Sequence, residues 1–98
     1  MTLTEFNDSI SKASQPPDGL PEVLQALWHD RKGNWDQAHR IAQDISSSDG
    51  SWVHAYLHRK EGDLANARYW YRRAKREPSE GDLLEEWDEI CSELLSRT

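Results

Sequence analysis

Apolar residues recur along this chain with the period of α-helices, and the breaks between them carry turn chemistry. Leu3, Phe6, Ile10 and Ala13 follow helical spacing through about residue 14, behind a Thr2-x-x-Glu5 pattern suited to a capping box. Gln15-Pro16-Pro17-Asp18-Gly19 then reads as a linker. Pro21 suits the first turn of a second helix, with Val23, Leu24, Leu27 and Trp28 as its stripe and Gly33 as its stop. Asn34 caps a third helix carrying Trp35, Ala38, Ala42 and Ile45 on one side, with Ile41 alongside. Residues 46–51 read as a Ser/Gly loop, and Trp52, Val53, Ala55, Tyr56 and Leu57 mark a fourth helix that ends at Gly62. Asp63 caps a fifth, with Leu64, Ala67, Tyr71 and Ala74 inside and Pro78 closing it. A capping pattern over Ser79 to Asp82 precedes a last amphipathic helix holding Leu83, Leu84, Trp87, Ile90, Cys91, Leu94 and Leu95. No segment alternates with the period of a strand, so the expected fold is all-α with about six helices.

Two of these helix pairs repeat. Gly33-Asn34-Trp35-Asp36-Gln37-Ala38 returns 29 residues later as Gly62-Asp63-Leu64-Ala65-Asn66-Ala67. A small side chain five residues after the turn glycine lets the two helices of a hairpin approach closely at Ala38 and Ala67. The stretch Gly62 to Ala74 followed by Pro78 resembles the second half of a tetratricopeptide repeat. The spacing of 29 residues is shorter than the roughly 34 of that family, Ala42 stands where a large aromatic is usual, and His29 and His58 occupy the place of a common tyrosine. Residues 52–63 are also similar to a small bacterial family of this repeat type, to which no activity attaches. The resemblance implies a right-handed stack of antiparallel helix pairs in one domain over residues 1–98. Residues 21–46 and 51–78 would be the pairs, 1–14 and 80–96 the capping helices. It also implies a groove lined by the first helix of each pair, through Leu27, Asp30, Arg31, Trp52, Tyr56, Arg59 and Lys60, that holds a protein or peptide. A flanking helix laid over these residues, or a homodimer formed through uncovered aromatics, is weighed beside the open groove.

Composition narrows the picture. Apolar residues make up only 36% of the chain, but five are tryptophans, so a few large side chains must carry the core. The single cysteine, Cys91, allows no internal disulfide and lies in an apolar stripe. Met1 is followed by neither a basic segment nor an apolar run of membrane length, which leads to the expectation of a cytoplasmic protein without membrane association. The net charge of −6 is strongly segregated. Residues 1–51 hold four basic and eight acidic side chains, residues 52–76 seven and two, and residues 77–98 one and eight. An acidic last helix is the nearest partner for the basic block, and a net acidic domain argues against nucleic acid.

Candidate chemistry is sparse. His54 and His58 lie four apart on one helix face, and His29 holds the equivalent place in the first repeat, which makes a small-ligand or metal site with Asn66 and Arg73 the alternative to peptide binding. If the hairpin turns at Gly62, His58 opposes Asn66 and His54 opposes Trp70. No His-Glu-x-x-His or Cys/His motif completes a metal site, so packed histidines bonded across the hairpin are the expectation, with no cofactor. In the cluster Arg59, Lys60, Arg68, Arg72, Arg73, Lys75 and Arg76, the residues Arg68, Arg72, Lys75 and Arg76 read as a solvated face, and the remainder could bind an acidic peptide or the last helix. There is no Gly-rich phosphate loop and no activated nucleophile setting, so an enzyme is not expected.

Overall fold

The computed structural model describes all 98 residues as six helices without a strand: α1 (Leu3–Lys12), α2 (Glu22–Arg31), α3 (Trp35–Gln43), α4 (Ser48–Glu61), α5 (Leu64–Ala74) and α6 (Leu83–Ser96). The caps follow from the residues. Thr2 and Glu5 form the capping box of α1, while Asn34, Ser47, Asp63 and Asp82 each accept a backbone N–H of the helix they precede. The two hairpin turns are built alike. Gly33 and Gly62 have φ of 97° and 92°, a left-handed conformation that disfavours a side chain. Around them Gly33 N donates to Asp30 O and Asn34 N to His29 O, and Gly62 N donates to Arg59 O and Asp63 N to His58 O.

Two boundaries differ from expectation. Residues 46–51 are not all loop, because Ser47 Oγ accepts from Gly50 N and starts α4 at Ser48. Gly50 lies so close to Ile45 that an added Cβ would fall 2.5 Å from its carbonyl oxygen. At the other hairpin arm, α5 ends at Lys75 in the left-handed region (φ 60°), three residues before Pro78. Its closing bonds, Lys75 N to Arg72 O and Arg76 N to Tyr71 O, repeat the pattern of the two glycine turns.

Helix α4 is the hub. It packs on α2, α3, α5 and α6, while α2 pairs with α3, and α6 crosses α1, α2 and α4. Ala38 and Ala67 are both buried where their hairpins close, as small residues at those crossings require. Phe6 stacks on Trp87 at 5.9 Å between centroids, and the Trp87 indole N–H donates to Leu27 O at 3.1 Å, tying both end helices to α2. Lys32 Nζ donates to the carbonyls of Ile10 and Ala13 at 2.6 and 2.7 Å, which ends α1 against α2. The radius of gyration is 12.4 Å, that of a compact chain of this length. No helix is long and apolar enough to cross a membrane.

Candidate functional site

The face that the first helices of the two pairs would offer as a groove is largely covered, leaving a cleft of about 350 Å³ beside Asp30, Arg31 and Lys60. Leu27 is 0% exposed, and Trp52 and Tyr56 are each 3% exposed. The acidic helix α6 fills the space. Arg59 Nη1 donates to Glu86 Oε1 at 2.8 Å and its other terminal nitrogen to Gly81 O, and Tyr71 OH donates to Glu86 as well. Lys60 Nζ donates to Asp30 Oδ1 at 2.9 Å, and Tyr56 OH to Asp30 Oδ2 at 3.3 Å. Arg31 lies over the Trp87 ring at 5.1 Å, and Arg76 lies over Trp52 at 3.4 Å while bonding Glu93. Of the expected open groove, Leu27, Trp52, Tyr56 and Arg59 are therefore taken up by an internal interface, while Arg31 and Lys60 stay at its exposed edge. A helix carrying five carboxylates is a stronger local partner than a free peptide, since it is covalently attached. Asp30 and Glu86 are buried carboxylates, each held by a cation and a phenol, and burial beside them pushes both phenols, Tyr56 and Tyr71, well above the ordinary tyrosine value.

The opposite side of α4 carries the histidines. His54 and His58, one turn apart, face the α3 seam, where they meet His39. The Nε2 atoms of His39 and His54 are 3.0 Å apart, and one ring nitrogen from each of the three lies within 4.8 Å of the others. Tryptophans bracket the group: Trp35 stacks on His39 at 4.9 Å and Trp70 on His54 at 4.0 Å. The Trp35 indole N–H is itself fixed by Leu57 O at 2.9 Å. His58 Nδ1 lies 2.6 Å from Glu61 Oε1, an acceptor that orients its ring. Burial, then the neighbouring His39 and His58, pushes His54 down to about 4, and burial followed by His58 also lowers His39. Neutral imidazole with an available lone pair is the form that ligates a metal.

Three residues of the expected ligand group lie elsewhere. His29 stands edge-on to Trp28 at 5.2 Å on α2, away from the α3–α4 seam, and is replaced in the cluster by His39. Asn66 gives its amide to Asp63 at 3.4 Å, and Arg73 lies over Tyr69 and Trp70 at 5.9 and 5.4 Å. The pairing of His54 with Trp70 across the hairpin is as expected. A signal for His39 was available, because it follows Trp35 by one helical turn and so shares that residue's inward side.

The outer side of α5 is a third feature. Arg68, Arg72 and Lys75 are exposed, follow helical spacing and have no carboxylate within ion-pair distance, in contrast to Arg59, Lys60 and Arg76. Beside them lies a shallow cleft of about 300 Å³ lined by Leu64, Ala67, Arg68, Tyr71 and Pro78, with Arg59, Ser79 and Glu80 at its margin. Comparison with protein-family models, curated proteins and solved structures finds no match for this chain.

Proposed function

We propose that this chain is a small helix-pair repeat module of tetratricopeptide type that binds an acidic segment of a partner protein along the outer face of α5. The identical turns at Gly33 and Gly62, each followed by a capping side chain and a buried alanine, support the repeat reading. The observation that carries the binding reading is the division of the cations. Those facing α6 or Asp30 are neutralised inside the molecule, whereas Arg68, Arg72 and Lys75 stay unpaired on a chain of net charge −6. Arginines at one-turn spacing match carboxylates or a helical acidic segment, and the adjoining cleft with the exposed Leu64 takes an apolar side chain. The net acidic surface disfavours nucleic acid and favours a protein ligand.

A fluorescein-labelled peptide of alternating Glu-Glu-Leu sequence tests this by anisotropy. Binding in the micromolar range, weakened by salt and abolished in R68E/R72E, is the expected result. Equal binding by the charge-reversed protein, or equal binding of a Lys-Lys-Leu peptide, overturns it. Both substitutions are exposed and should leave the folding stability within about 0.5 kcal/mol.

A further inference from the structure

We propose that His39, His54 and His58 form a binding site for one late first-row divalent transition metal ion, with zinc as the reference case. The three imidazoles come from two helices whose packing is fixed by the stacked Trp35 and Trp70, so the donors are gathered before any ion arrives. Three imidazole nitrogens and no thiolate suit zinc, copper or nickel over magnesium or calcium, which demand oxygen donors. Tetrahedral zinc at about 2.0 to 2.1 Å from nitrogen separates its ligands by about 3.4 Å. The His39–His54 pair, at 3.0 Å, needs to open by only a few tenths of an ångström. The remaining nitrogens, all within 4.8 Å, close the difference by rotation of their side chains.

The surroundings complete the case. Glu61 accepts the Nδ1–H of His58 in the carboxylate–histidine arrangement that orients metal-bound imidazoles and raises their basicity. Glu61 and Asp36 also lie near enough to His39 to act on its charge, and they would offset part of a dication. His39 is only half-buried, so the ion has a way in from the surface and solvent can supply a fourth ligand. Three protein nitrogens and one solvent position define an open coordination sphere. A second arrangement shares one residue with it: His58, Glu61 and Asp63 also approach one another, at the α4–α5 turn, but two of those three are exposed.

The test uses the full chain, stripped with a chelator and titrated with zinc by calorimetry. The expected result is a single site per chain and a rise in Tm on the order of 10 °C at a hundredfold excess over Kd. His39→Gln, a half-buried position that leaves α4 unchanged, should weaken binding at least tenfold, and Glu61→Gln by about 10 to 100-fold. His29→Gln should bind as the wild type does. Copper should also quench the fluorescence of Trp35 and Trp70 in the wild type and lose that effect in His39→Gln. Absence of saturable binding overturns the proposal. So does undiminished affinity in His39→Gln, which would move the ion to His58, Glu61 and Asp63.

Discussion

Acid should weaken this fold through His54 before it weakens it through carboxylates. In the unfolded chain the imidazole takes up a proton near 6.5, and in the folded protein only at about 4, because burial and two neighbouring histidines oppose the charge. A depressed folded value means that the stabilising contribution is fully present above 6.5 and is lost as pH falls toward 4. At one pKa unit per 1.36 kcal/mol, the whole difference is about 3 kcal/mol, of which about 2 kcal/mol is gone by pH 5. His39 and His29 are shifted in the same direction by burial and add to the loss. The lowered carboxylates Glu5 and Glu93 act in a separate window, since their contribution is lost only below the ordinary value of 4.5. Urea unfolding of metal-free protein at pH 7.5 and pH 5 should therefore show a fall in midpoint of about 1 M, given slopes of about 1 to 3 kcal/mol/M. His54→Gln, neutral at both values, should lose markedly less over the same interval. If wild type and variant lose stability in parallel between pH 7.5 and 5, His54 is not the buried neutral group that the geometry describes.

Three further substitutions probe the frame. Glu86→Ala should cost about 3 to 5 kcal/mol in urea unfolding, since it leaves the partly buried Arg59 uncompensated and the Tyr71 hydroxyl without its acceptor; a loss under 1 kcal/mol would contradict the α6 clamp. Lys75→Gly should raise stability by about 0.5 to 1 kcal/mol, seen as a higher Tm, because the residue sits at φ 60°. Gly50→Ala should destabilise by about 1 to 3 kcal/mol, although alanine is the better helix former, because the new methyl group would meet the Ile45 carbonyl.

Local chemistry made most of the helices readable before the fold was known. Thr2 with Glu5, Asn34 and Asp63 cap through a backbone N–H three residues on, and Asp82 through one two residues on. The start of α4 was less legible, because Ser-Ser-Ser-Asp-Gly-Ser has a loop's composition and becomes helix only when Gly50 packs against Ile45. Lys75 ends α5 in a conformation that sequence patterns assign to glycine or asparagine. The sites depended on which helices touch. Segregated charge correctly pointed to α6 as the mate of the basic block, but not to its seating over Trp52 and Tyr56. For the histidines, the i, i+4 relation joined His54 to His58, whereas the third ring came from the seam between α3 and α4, which the repeat analogy between His29 and His58 passed over.

The low apolar content and the unusual burial of α4 have a common explanation. A helix that touches four others has no polar side, yet its sequence supplies His54, His58 and Ser51 among apolar neighbours, and all three are buried. Three buried polar groups find a partner on a different helix: Glu86 from α6 meets Arg59, Asp30 from α2 meets Tyr56 and Lys60, and His54 meets His39 from α3. No buried side-chain polar atom in the molecule lacks a hydrogen-bond partner. Hydrophobic burial alone tolerates sliding of one helix on another, whereas these pairs lose several kcal/mol when displaced because each leaves a desolvated group behind. In this small helical chain the polar contacts around α4 therefore fix the positions of α2, α3 and α6, and the same contacts hold the three imidazoles in register.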